Sequence, residues 1–596
     1  MWLDIKVVCT APDANVQGLT TPPSSIHSTS DMYQPKPCSR LREEELSEEQ
    51  KQPFVEQSLH QDEEDGRDFD TASATRSGCI AAVSTGVILS LLCLISGVYL
   101  LRTNQATLGA SASISTSGRE AMALAINIIL ALCTDGMMFV HSVSLRWALY
   151  REERLEFNTN IRLFTSSKRF GPNKWYINLV ALTCLVLSYA SSSVLLLSVV
   201  RSENEDQSPL LINATALVAL GLGLAGQAVI AVWCLVSSYK LIPTWSSNPL
   251  NTASAVMQNG DLAHHPGRCM LSVHQRQMPS QETYPMDRQG NIFQLQGMVR
   301  YILALLWSLA LLAIAWPIAI ATVSKSIGNA SAAGQGFEPL CWRVEFKWNK
   351  INWACSRNYV TLSLSPYAND HNPNSATFSY GAEAVLCVLF VCLIQASQTV
   401  ALHCLELLVN LSRDEGIWRQ AYSETREAPG AQLATNPIRA AVSSWENAVL
   451  FIAKAVLHWI IGQSLIPSVT MEPSKDIESF SSTPVEDLST HVEDLFKHGF
   501  QFDMVYSRLI VYAILAVFVA TFASYLALRR PRGCQPASLG HLQTLVDLID
   551  DWKTDLGGRM WWGDKTQLEA GPVRHAGTCW DKAVLGPICK ATYAGG

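Results

Sequence analysis

The chain has 596 residues, and Asp, Glu, Lys and Arg make up only 16% of them, against about 25% in a soluble protein. That deficit, with the apolar residues bunched into long blocks, excludes an ordinary soluble enzyme. A net charge of −7 from 44 basic and 51 acidic residues, with no long basic stripe, excludes nucleic acid as a partner.

Residues 1–77 are rich in Ser, Pro, Glu and Gln and carry the acidic runs EEELSEEQ and DEED. Such a segment buries too little apolar surface to order itself and reads as a disordered cytosolic arm. Met1 to Thr10 carries Asp4 and Lys6, so no cleavable signal peptide is expected and the first span serves as its own anchor.

Residues 78–529 hold eight segments that meet the requirement of about 20 apolar residues for crossing ~30 Å of hydrocarbon. They are Cys79 to Leu101, Ala121 to Leu145, Trp175 to Val200, Leu211 to Val236, Tyr301 to Ser324, Ala384 to Leu405, Ala448 to Val469 and Leu509 to Leu528. Only the second, with Asp135, and the seventh, with Lys454, contain an acidic or basic residue. The connection after the second span holds Arg146, Arg151, Arg154, Arg162, Lys168, Arg169 and Lys174, which marks it as cytosolic. Alternation then puts loop 237–300, the stretch Glu406 to Asn447 and both termini in the cytosol. It puts loop 325–383 and the stretch Met471 to Arg508 outside.

In the fourth span, Gly221-x-Gly223-x-x-Gly226 matches a dinucleotide-binding fingerprint. No strand precedes it and no acidic residue follows at the right distance. It reads as a small-residue packing surface, and Pro317 in the fifth span as a kink. Eight cysteines lie in spans and six, including Cys579, in segments assigned to the cytosol. Cys341 and Cys355 remain in the outer loop. A disulfide between them is the expectation, with two free thiols as the alternative, and the sequon at Asn329 in the same loop is a glycan acceptor. No CxxC or HxxxH accompanies the pair, so no metal or other cofactor is expected.

On the sixth span Gln395, Thr399, His403 and Glu406 recur at i, i+4, i+8 and i+11, and His458 lies one turn beyond Lys454 on the seventh. Asp135 sits ten residues from the cytosolic end of its span, or ~15 Å, and Lys454 lies ~10 Å from the cytosolic end of its own. Each charge costs about 2.5 to 3.5 kcal/mol at mid-helix on an insertion scale, so pairing or a wet cavity is the economical arrangement. Snorkelling of Lys454 and protonation of Asp135 are the independent escapes. The set offers either a proton or solute path or a static cluster that orients helices.

His141 to Glu153 aligns with His403 to Glu415 at five of thirteen positions. Both close an outward-to-inward span, as two parallel four-helix halves would require. In the tail, 530–596, Leu542, Leu545, Val546, Ile549 and Trp552 follow Ser538 at helical spacing. One amphipathic helix is expected, docked on the membrane domain or solvated on a small domain with Trp561, Trp562 and Trp580.

The run SLRWALYREERLEFNTNIRLFTSSKRFGPNKWY, with IPTWSSNPL, PGRCMLSV and GHLQTLVDLIDDWKTD, resembles a group of uncharacterised multi-pass membrane proteins of filamentous fungi. The resemblance implies a membrane location and no activity or site residues.

The expected fold is an all-α transmembrane bundle of about eight spans in the plasma membrane or an endomembrane, with the lipid bilayer as its partner. A solute or proton-coupled transporter is favoured by the acid, base and His residues at depth. A membrane sensor or scaffold, acting on a protein partner without transport, is the alternative suggested by the long arm and tail. A membrane-embedded transferase using His403 or His458 with Glu406 ranks last, because no nucleophile motif is recognisable.

Overall fold

The computed structural model describes residues 69–103, 112–200, 207–331, 359–363, 380–423, 428–433, 444–473, 496–566 and 572–594. In chain order the helices that matter here are α1 (Ser73–Arg102), α2 (Thr116–Arg151), α3 (Trp175–Ser193), α4 (Ala214–Ser238) and the short α5 (Pro249–Gln258) and α6 (Ile292–Leu295). They continue as α7 (Gly297–Ser331), α8 (Tyr380–Arg419), α9 (Trp445–Ser464), α10 (Tyr506–Leu528) and α11 (Leu542–Leu548). Seven of them, α1 to α4, α7, α8 and α10, are long and apolar enough to cross a membrane. Helix α9 matches the seventh predicted segment, but Glu446, Asn447, Lys454 and His458 leave it outside that set.

Local signals set several boundaries. Asn213 caps α4, its Oδ1 accepting from Ala216 N at 3.2 Å, and its side chain is buried. Asn248 caps α5 with Pro249 in the first turn, the position where a missing N–H costs nothing. Helix α1 begins at Ser73, four residues before the expected end of the arm. The chain just before it is tied down, because Thr244 Oγ1 donates to Asp70 O at 2.7 Å and Trp245 N to Thr71 O at 3.1 Å. Helix α7 runs through Pro317 without a break.

The long helices pack in two sets. Helix α4 packs on α1, α2 and α3, and α2 also touches α1 and α3. In the other set α10 packs on α7, α8 and α9, and α8 also touches α7 and α9. The sets meet where α8 packs on α3 and α9 on α2 and α3. The glycines of the declined fingerprint make the first set tight. A Cβ added to Gly221 would lie 2.8 Å from Leu94 Cγ of α1, and one on Gly223 would lie 2.9 Å from Cys184 O of α3.

Strands occupy both ends of the bundle, which corrects the all-α expectation. Beyond one end, β1 (Ala112–Ser115), β2 (Leu196–Val200), β3 (Gln207–Ile212), β4 (Tyr359–Ser363), β6 (Leu465–Pro473) and β7 (Phe496–Val505) form one sheet in the order β1-β3-β2-β6-β7-β4. Strands β1, β4 and β7 come from connections between the predicted spans, whereas β2 replaces the end of the predicted third span, β6 the end of the seventh and β3 the first residues of the fourth, so α3 and α9 stop at Ser193 and Ser464, short of the expected Val200 and Val469. At the other end the tail folds onto the connecting loops. Strand β8 (Arg559–Asp564) pairs with β9 (Ala576–Cys579) and with β5 (Ala431–Gln432) from the α8–α9 connection. Further ties run from Asn158 N to Gly540 O at 2.9 Å and from Val273 N to Ala537 O at 2.8 Å.

Two tail expectations change. Helix α11 stops at Leu548, with Ile549 already extended, so Trp552 reaches its buried site from extended chain. Cys579, assigned above with the cytosolic cysteines, is disulfide-bonded, and its partner lies outside the described residues because every other described cysteine is free. Cys341 and Cys355 also lie outside the described residues. Asn329 falls within the helical backbone near the end of α7.

Candidate functional site

The seam between the two helix sets is where the intramembrane polar residues meet. Lys454 of α9 is buried, with a side chain 3% exposed. Its Nζ donates to Asp135 Oδ1 and Oδ2 of α2 at 2.8 and 3.0 Å and to Glu406 Oε1 of α8 at 2.6 Å. One ammonium therefore serves two carboxylates from two helices. The second positive charge comes from Arg162 in the α2–α3 connection, whose Nη2 lies 3.5 Å from Glu406 Oε2. Two acids and two bases leave the cluster formally neutral, which offsets much of the cost of burying each charge.

His403 joins through a single nitrogen. Its Nδ1 lies 2.7 Å from Glu406 Oε1 and 3.2 Å from Arg162 Nη2. A protonated Nδ1 donates to Glu406, whereas a bare Nδ1 accepts from Arg162, and the two bonds exclude each other. The tautomer of the ring sets which of the two bonds forms.

A second polar group lies one turn along α9. His458 Nδ1 donates to Gln395 Oε1 at 2.5 Å, and its ring stacks on Tyr189 of α3 at 3.7 Å between centroids. Gln398 Nε2 approaches the same nitrogen at 3.2 Å. Gln395 Nε2 in turn donates to Ser193 Oγ at 2.7 Å. Thr399 spends its hydroxyl on Gln395 O at 2.7 Å, so it belongs to the helix and not to the relay. Ser193 lines a small void of about 20 Å³ with Asn127, Ser192 and Gln463, room for about one water. Tyr189 OH lies 3.3 Å from Thr134 Oγ1, which sits beside Asp135 in the sequence. Polar groups thus run from Arg162 along the seam to the last turn of α3.

Asp135, His403 and Glu406 stand close enough to share a metal ion, but Lys454 Nζ already contacts both carboxylates and fills the cationic position. The rings of His403 and His458 are buried, and among the described residues each leaves Nε2 without a partner. Neither ring is exposed. All seven residues singled out from the sequence fall in this region. Arg162, Tyr189 and Gln398 are the members that sequence reasoning missed. Arg162 was read only as a topology charge, Tyr189 carries no charge to betray it, and Gln398 stands three residues from Gln395, the spacing that should have found it.

Comparison with protein-family models, curated proteins and solved structures finds no match for this chain.

Proposed function

We propose that the chain is an eight-span membrane protein built from two parallel four-helix halves, α1 to α4 and α7 to α10, that moves a solute coupled to protons. The carrying observation is the charge cluster at the seam. Asp135 comes from one half and Lys454 and Glu406 from the other, so protonation of a carboxylate changes what holds the halves together. The packing supports the repeat, since each contact within α1 to α4 has a counterpart within α7 to α10. It also supports α9 as the eighth span, because α9 begins near the tail and runs into β6, which pairs with β2 and β7 of the opposite sheet.

Arginine placement favours a cytosolic tail, whereas the Cys579 disulfide favours an oxidising compartment. Protease protection of tags on both ends decides between them.

The functional test uses full-length protein in liposomes loaded with a pH-sensitive dye and offered pools of sugars, amino acids and organic acids. The expected result is proton movement with at least one pool that Lys454→Met abolishes. Folded protein that behaves as empty liposomes do with every pool overturns the reading and favours the sensor or scaffold, which the folded tail platform supports.

A further inference from the structure

Away from the seam, a groove of about 1420 Å³ opens beside the tail-proximal ends of α8 and α10 and the start of α9. That exceeds the roughly 300 to 1,000 Å³ of small-molecule pockets. Arg288, Arg413, Arg419, Arg529, Arg530 and Arg532 line it. Its two carboxylates are already engaged, Glu415 by Arg419 Nε at 2.7 Å and by the N–H groups of Ser538 and Leu539, and Glu446 by Ser412 and Ser444.

The arginines are only partly engaged. Arg419 Nη2 is buried without a partner, and the exposed guanidinium groups of Arg288, Arg529, Arg530 and Arg532 have none among the described residues. The remaining wall is apolar and interfacial. Trp445, Tyr525 and Leu528, each about half exposed, stand where α9 begins and α10 ends. Clustered arginines directly above an aromatic belt match a phosphate above an acyl chain.

We propose that this groove binds an anionic phospholipid of the leaflet on the tail side, with the headgroup phosphates against Arg529, Arg530, Arg532 and Arg419 and the chains along α10 beside Tyr525 and Leu528. The site does not depend on the transport reading. The same phosphate chemistry could be supplied by a soluble inositol phosphate, and the acyl contacts distinguish the two.

The test measures binding and thermal stability of the full-length protein in detergent with dioctanoyl phosphatidylinositol bisphosphate, dioctanoyl phosphatidylcholine and chain-free inositol trisphosphate. The bisphosphate lipid is expected to bind and stabilise, phosphatidylcholine to do neither, and the chain-free headgroup to bind more weakly than the lipid. Arg529→Gln with Arg530→Gln is expected to weaken lipid binding by roughly five-fold per arginine, and Lys582→Gln, outside the groove, to leave it unchanged. Neither substituted guanidinium group has a partner among the described residues, so the variant's ligand-free melting should match that of the parent. Equal binding of lipid and chain-free headgroup overturns the lipid assignment. Undiminished lipid binding in the double variant, or no binding by the parent, overturns the site.

Discussion

Lys454 holds two carboxylates, so the residues around it differ in what their loss exposes. Lys454→Met leaves Asp135 without its cation and Glu406 with Arg162 alone, and removing one partner of a buried pair costs about 3 to 5 kcal/mol. Asp135→Asn should cost less, because its side chain is 31% exposed and Glu406 still neutralises the ammonium. Melting of the purified variants is therefore expected to rank Lys454→Met below Asp135→Asn, with the double variant above Lys454→Met alone. Defects that simply add would mean the two side chains do not interact. The two charges were legible in the sequence because each interrupts an otherwise uncharged apolar segment. Their sharing with Glu406 was not, since Glu406 lies at a predicted span end where a carboxylate is ordinary.

At the level of elements, the apolar segments were readable because bilayer length leaves little choice. The tail was not, because its strands pair with partners far away in the chain, and period alone reports nothing of those. Helix α4 depends on its glycines. Gly223→Leu should lower folded yield through overpacking against α3, at a cost of about 1 to 3 kcal/mol or more, whereas Leu222→Ala on the exposed face should leave yield near that of the parent. In the tail, His575 Nε2 meets Asp550 Oδ2 at 2.8 Å. Burial alone would lower the imidazole, but the hydrogen bond and charge of Asp550, with Cys269 nearby, hold it up at about 9. Asp550 is itself held well below the usual carboxylate range: burial opposes this, but His575 and Lys565 outweigh it. A raised folded value means the pair's stabilisation is complete below the ordinary histidine value of 6.5 and is lost as pH rises through about 9. Melting should fall between pH 7 and 10 in the parent, and Glu or Gln at other surface sites should not alter that. His575→Gln should flatten this part of the profile, and an unchanged slope would dismiss the pair as its source.

Across the whole molecule, the seam carries a second ion pair near the sheet end, between Glu120 of α2 and Arg508 of α10. If proton-driven exchange works by rocking of the halves, bridging Glu120→Cys and Arg508→Cys with a cleavable bifunctional thiol reagent should stop flux in liposomes, and a reductant should restore it. Flux that persists through the cross-link would show that the halves do not move at that end. The platform at the opposite end has another kind of consequence. Trp562 N donates to Ala421 O at 3.0 Å, and the Trp562 ring packs edge-on against Trp418 and Tyr422, so a segment made after α10 covers aromatic rings made before α9. Until the ribosome has delivered that segment, those rings stay bare to chaperones. A chain cut short before Arg559 would insert its helices and still present the surface by which quality control recognises unfinished proteins.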